Sequence, residues 1–255
     1  TPKEIAKILG ANYLKNLSQF EIIFRSPGIP YESREIQEAI KNGVVFSSAT
    51  KLFFENKKGL VIGITGTKGK GTTSTLLYNI LKAAKYEVNL AGNIGLPAVS
   101  ILSKLKDSSL TILELSSFQL HDLKISPEIS VVLNIFPDHM DSHTNFEEYV
   151  MAKSSIAKYQ KANNLIFFDS ENTFATQIAN LSPAQKIPVS TKNFALFEEK
   201  DLALLLDVAS KMSGRTICEL ADSIALPVVS FMKYYRPEFE YHIEHKKCMV
   251  HHDRS

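Results

Sequence analysis

Residues 60–77, Leu-Val-Ile-Gly-Ile-Thr-Gly-Thr-Lys-Gly-Lys-Gly-Thr-Thr-Ser-Thr-Leu-Leu, place a lysine among glycines where an apolar stretch gives way to a helical pattern. Such glycines let backbone N–H groups curl around a phosphate. A lysine there reaches the outer oxygens, and a helix that follows turns its positive end toward the anion. Gly66, Thr67, Lys68, Gly69, Lys70, Gly71 and Thr72 are therefore candidate contacts for a nucleoside triphosphate. The run departs from a strict phosphate loop at two positions. Ile64 stands where a glycine is usual, and Gly71 stands where a Ser or Thr would touch Mg²⁺, leaving Thr72 as the nearest hydroxyl.

Further residues suited to phosphate chemistry lie downstream, most of them just past an apolar stretch. Leu110 to Leu113 leads into Glu114, followed by Leu115-Ser116-Ser117-Phe118-Gln119-Leu120. A carboxylate at a strand tip beside a phosphate loop can hold Mg²⁺ directly or through water. Away from the loop, the same glutamate reads more readily as a helix cap or a partner for a lysine. Val131 to Ile135 leads into a run holding Asp138, His139, Asp141 and His143, four titratable groups within six residues. His139 is the candidate ligand or phosphate contact, although spacing does not single out one of the four. Asn93, in Gly92-Asn93-Ile94-Gly95, reads equally as a turn residue or a ligand contact. Lys153 falls on the apolar side of a helix capped by Thr144-x-x-Glu147, together with Phe146, Tyr149, Val150, Ile156 and Ala157. Its stem could pack while its ammonium reaches water. Burial would instead lower its pKa, leaving a neutral amine able to capture carbon dioxide as a metal-binding carbamate.

The elements that must carry these groups follow an α/β rhythm. Strands are predicted at Phe20–Phe24, Val44–Phe46, Leu60–Thr65, Val88–Leu90, Leu110–Leu113, Val131–Ile135 and Leu165–Phe168. Helices are predicted at Glu32–Lys41, after the loop (Leu76, Leu77, Ile80, Leu81 and Ala84 on one face), near Pro97–Leu105, and through about Gln160. Thr1-Pro2-Lys3-Glu4 reads as a further helix start. The alternation predicts a doubly wound, mostly parallel sheet with ligands at the carboxyl ends of its strands. The polar break Glu55-Asn56-Lys57-Lys58-Gly59 sets the expected division: residues 1–56 as part of a Rossmann-like domain, 57–241 as the loop-bearing domain, 242–255 as the start of another. Thr1 at one end and the strand-like Cys248–Val250 near the other lead us to expect a fragment of a longer protein.

Composition excludes several function classes. A net charge of +2 spread along the chain gives no nucleic-acid signal, and 44% hydrophobic with 22% charged residues is ordinary for a globular protein. No apolar run reaches the roughly 18 residues of a membrane span. Cys218 and Cys248 lack metal-ligand spacing, so free thiols in a reducing cytoplasm are expected.

Four strings in order, Gly66-Thr67-Lys68-Gly69-Lys70, Gly92-Asn93-Ile94-Gly95, Glu114 to Leu120 and Asn134-x-x-x-Asp138-His139-x-Asp141-x-His143, resemble the central ATPase domain of the Mur ligases, as does Lys153. The resemblance covers residues 20–190. Glu114-Leu-Ser-Ser-Phe-Gln-Leu and Ser26-Pro27-Gly28-Ile29 point within the family to the branch that adds D-glutamate to UDP-N-acetylmuramoyl-L-alanine. The resemblance implies a cytoplasmic, monomeric enzyme of peptidoglycan synthesis. It would use ATP and two Mg²⁺ ions to form an acyl phosphate that the amino-acid amine then attacks. It also implies that Lys70 serves the phosphates, and that Thr72, Glu114, His139 and a carbamylated Lys153 serve the metals. Gly28, Asn93 and His139 would contact the UDP-muramoyl substrate, and Arg236 the nucleotide. Asp253 would correspond to an aspartate opening the last domain. In the family's pattern Lys68 replaces an asparagine, and Glu198–Met212 lacks the His-Asn pattern expected near adenine. Without the family's terminal domain, the chain alone is expected to have little ligase activity. The alternatives are another amino-acid ligase of the Mur or folylpolyglutamate type, and a non-catalytic nucleotide-binding module.

Overall fold

The computed structural model describes residues 13–190, 202, 203, 206, 207, 236–241 and 243–245. The expected elements at Thr1–Glu4, Glu198–Met212 and Cys248–Val250, the cysteines, and Asp253 lie outside the described residues or largely so.

A two-stranded parallel sheet comes first, pairing β1 (Ile22–Phe24) with β2 (Val45–Ser47). Helix α1 (Arg34–Lys41) connects them, and Ile36 and Ala39 close on Leu17, Val44 and Phe46 as a small separate core. On the opposite face of these strands Ile22, Phe24 and Val45 are exposed.

Helix α2 (Ala49–Asn56), which the sequence did not suggest, starts at Ser48, whose hydroxyl accepts from the Lys51 amide at 3.1 Å. It ends at the polar break, yet Phe53 and Phe54 belong to the same apolar cluster as Val61, Ile101 and Leu113 beyond that break. The expected boundary after residue 56 is thus crossed by side-chain packing.

The main sheet is six-stranded and wholly parallel among the described residues, in the order β4 (Val88–Gly92), β5 (Leu110–Glu114), β3 (Leu60–Thr65), β6 (Ile129–Val132), β7 (Leu165–Asp169), β8 (Gln185–Val189). Its middle strand β3 is buried without interruption from Val61 to Thr65, the signature of a strand covered on both faces. Helix α3 (Lys70–Ala83) covers one face, with Leu77, Tyr78 and Leu81 against Ile62, Ile64 and Ile112; Ala84, expected on that face, is exposed. The other face carries α2, the short α4 (Ser117–Leu120), α5 (Phe146–Lys158) and α6 (Thr173–Asn180).

Several expectations shift. The predicted helix near Pro97–Leu105 is a 3-10 segment, Ala98–Lys104. Strand β6 starts and ends earlier than its apolar run, although the Leu133 amide still donates to the Thr65 carbonyl at 2.9 Å and the Asn134 carbonyl accepts from the Thr67 amide. The cap of α5 is Asn145, not Thr144: its side chain accepts from the Glu148 amide at 2.8 Å. Strand β8 has mostly exposed residues and contains Pro188, which only an edge strand tolerates.

Candidate functional site

Parallel strands on either side of β3 bring the ends of β3, β5 and β6 together, and the candidate residues meet there. The loop after β3 needs its glycines for stated reasons. Gly69 has φ +83, and a Cβ on Gly66 would sit 2.7 Å from the Leu133 side chain. Gly69 is also the N-cap of α3 and supplies no side-chain cap, so the first-turn N–H groups have no intrahelical partners. An anion is the natural complement of such an end.

Thr67 holds this loop in place. Its amide donates to the Asn134 carbonyl at 2.7 Å, and its hydroxyl accepts from the Phe136 amide at 2.9 Å and lies 3.1 Å from the Tyr149 hydroxyl. Both groups are engaged by the protein, and Thr67 thereby anchors the loop. Lys68 is exposed, its ammonium 3.3 Å from Asp138. Burial pushes Asp138 up, but Lys68 and His139 together bring its carboxyl below the usual range.

Lys70 folds over the loop and donates to the carbonyls of Gly66 and Thr67 at 3.1 and 2.9 Å. Burial lowers its pKa, while Glu114 and Asp138 pull it back up. Glu114 is buried at the tip of β5, where Asn93 donates to it at 3.0 Å. Its other oxygen would be 3.2 Å from a Cβ on Gly71. The missing side chain at Gly71 thus makes room for the carboxylate against the start of α3. Thr72 follows in that first turn, half-buried.

Lys153 is 1% exposed, which removes the reading in which its ammonium reaches water. Its Nζ donates to the Gly66 carbonyl at 3.0 Å and stands 4.6 Å from the centre of the Tyr149 ring. Burial, and then the neighbouring Lys70 charge, bring its pKa down to about 7, with Asp138 and Glu114 opposing. Near neutrality a large share of this amine is unprotonated and nucleophilic.

Lys70 and Lys153 therefore converge on the Gly66 carbonyl, Glu114 and Asp138 are near enough to act on both charges, and Asn93 is attached through Glu114. His139 lies at the edge, half-exposed, with φ +56, a conformation that histidine enters more often than most residues, and its ring centre is 5.6 Å from that of Phe118. Gly28 belongs to the turn after β1, and a Cβ there would meet nothing within 4 Å. Arg236 lies in a helical turn, its Nε 2.7 Å from Glu240. Sequence reasoning missed the anchoring roles of Asn134 and Tyr149 and did not single out Asp138. It also missed Arg25, which ties the turn bearing Gly28 to the main domain by donating to Ile29, Phe118 and Asp122 at 2.7, 3.1 and 2.8 Å.

Comparison with known proteins places the chain in a family. The family model "Mur ligase middle domain" matches residues 64–230. The UDP-N-acetylmuramoylalanine–D-glutamate ligase of Acetivibrio thermocellus is 38% identical over 228 residues, covering 89% of this chain and 48% of that protein. The enzyme of the same name from Clostridium botulinum strain Langeland is 35% identical over 216 residues, covering 84% and 46%. The MurF ligase of Thermotoga maritima, solved in complex with ADP, is similar at a TM-score of 0.46 and 21% identity, covering 70% of this chain and 52% of that one. The chain spans about half the length of the curated relatives it matches. The match covers more than half of the chain, which therefore belongs to the Mur ligase family and carries that family's middle domain.

Proposed function

We propose that this chain is the nucleotide-binding centre of an ATP-dependent ligase that joins D-glutamate to UDP-N-acetylmuramoyl-L-alanine through an acyl phosphate, in cytoplasmic peptidoglycan synthesis. The observation that carries the reading is a lysine with a pKa of about 7, buried against the carbonyl of a phosphate-loop glycine and beside a second lysine.

The residues fit both ATP and Mg²⁺. An uncapped helix start and Lys70 suit phosphates, and the buried Glu114 carboxylate supplies a hard oxygen ligand. In the proposed assignment the amides of Gly69 to Thr72 and the Lys70 ammonium hold the β- and γ-phosphates. Glu114 and Thr72 hold one Mg²⁺, and His139 and a carbamylated Lys153 hold a second. Mg²⁺, when bound, supplies positive charge to the oxygens of the transferring phosphoryl group. Glu114 accepts a hydrogen bond from the Asn93 amide, which fixes the orientation of its carboxylate. Asn93, Gly28 and His139 orient the UDP-muramoyl chain so that its carboxylate faces the γ-phosphate, and Arg236 serves the nucleotide. We assign residues 1–56 to the nucleotide-sugar side, 57–241 to ATP and 242–255 to the entry into a further domain, in a monomer.

In the protein extended to the length of its relatives, phosphate release from ATP is expected to require both UDP-N-acetylmuramoyl-L-alanine and D-glutamate. ATP binding with no turnover under any pairing of substrates would overturn the assignment. Gly71→Ala serves as a finer probe. Its methyl group would press on Glu114 at 3.2 Å and displace the carboxylate. Affinity for Mg·ATP is expected to fall about 10-fold, the low end of the range for disturbed metal positioning, with affinity for metal-free ATP little changed in calorimetry.

A further inference from the structure

We infer that His121, Glu148 and Glu32 form a binding site for a divalent transition ion of the zinc class, where the turn that leads into α1 meets α4 and α5. A small cavity of about 20 Å³ opens there, lined by these residues together with Arg25, Tyr31, Phe118 and His143, among others. That volume accommodates about one water-sized sphere. His121 Nε2 lies 3.2 Å from a Glu32 oxygen and 3.2 Å from a Glu148 oxygen. Ligand atoms at about 2.0–2.1 Å from a tetrahedral ion stand roughly 3.3 Å apart, and each of the two carboxylates already stands at that separation from the imidazole nitrogen.

Hydrogen bonding alone leaves this cluster incomplete. One Nε2 hydrogen cannot serve two carboxylates, and Glu148 Oε1 is buried and out of alignment for a hydrogen bond. Arg25 does not supply the missing positive charge, because its guanidinium is bound to Asp122 at 2.8 Å and to the Ile29 carbonyl. His143 fixes the remaining carboxylate oxygen: its Nδ1 is 2.6 Å from Glu148 Oε2, its Nε2 is 2.9 Å from the Ser117 hydroxyl, and its ring stacks on Phe118. This is the support a metal-binding carboxylate needs. An imidazole with carboxylates in a cavity of this size suits zinc, whereas Mg²⁺ would keep several waters that do not fit.

The test is titration of the metal-stripped full chain, by calorimetry with Zn²⁺ and Mg²⁺ and by visible absorption with Co²⁺. One tetrahedral site is expected for Zn²⁺ and Co²⁺, with no comparable binding of Mg²⁺. His121→Gln and Glu148→Gln are expected to weaken zinc at least 10-fold, within the effect of losing a positioned ligand. Because Glu32 is half-exposed, Glu32→Gln preserves the fold and is expected to weaken zinc by a smaller factor. Absence of a zinc isotherm, or zinc affinity unchanged in Glu32→Gln and in whichever other variants fold, would overturn the site.

Discussion

Replacing Lys153 by alanine is expected to lower turnover of the extended ligase by at least about 10²- to 10³-fold, the effect of removing a positioned electrostatic group. Binding of ATP to the loop should largely persist, because Lys153 touches the loop through one carbonyl only. Formate or acetate is expected to restore part of the activity by standing in for the carbamate. The pH dependence follows from the amine's pKa of about 7, against 10.5 for a free lysine. Below pH 7 the ammonium cannot take up carbon dioxide, so activation by added bicarbonate should rise with pH through this value. Labelled bicarbonate should then give a carbamate carbon signal in the wild-type chain and none in the variant. Unchanged turnover and no such signal would return Lys153 to a structural role.

The same group sets a slope in stability. Between about pH 7 and 10.5 the unfolded chain holds a proton at Lys153 that the folded chain has released. Stability therefore rises with pH across that window, and burial of the charged form is most unfavourable at and below pH 7. Lys153→Met lacks this dependence. Its melting temperature relative to the wild type is expected to be highest near pH 6 and to fall back towards pH 10.

Lys70→Ala is the second large effect. Its ammonium is held by two loop carbonyls, those of Gly66 and Thr67, at the place where β- and γ-phosphates are proposed to sit. Affinity for Mg·ATP is expected to fall by about 10- to 100-fold, consistent with about 1.5–3 kcal/mol for a charge-assisted hydrogen bond. The loss should be concentrated on the outer phosphates, so that calorimetry finds ADP less affected and adenosine unaffected. Lys70→Arg is not expected to rescue binding. A planar guanidinium replaces a point charge tucked against two carbonyls, and α3 and the loop leave it little room. Equal losses for ATP and adenosine would instead indicate that the loop has collapsed.

Much of this was legible in the chain because it is local. The lysine among glycines needs only its neighbours to be recognised, and an apolar strand ending in Glu114 needs only a parallel sheet to arrive beside it. Other features depend on tertiary contacts that no local pattern encodes. Periodicity put Lys153 on the inner side of α5 but could not say whether its ammonium would reach water. The answer came from the β3–β6 pairing, which sets the Gly66 carbonyl above it. The anchoring role of Thr67 was not legible, because its partners Asn134, Phe136 and Tyr149 lie 67 or more residues away in the chain. Strand β8 escaped notice because an exposed edge lacks apolar alternation. His121 and Glu148 carry no spacing signal, since α4 and α5 meet only after folding.

The hydroxyl of Thr67 has a mechanical consequence. By joining the exit of β3 to the exit of β6 and to Tyr149 on α5, it makes the lysine of the loop and the lysine of the helix parts of one stiff chassis. The spacing between the two ammonium groups is then held by the fold itself, through a hydroxyl that belongs to neither lysine.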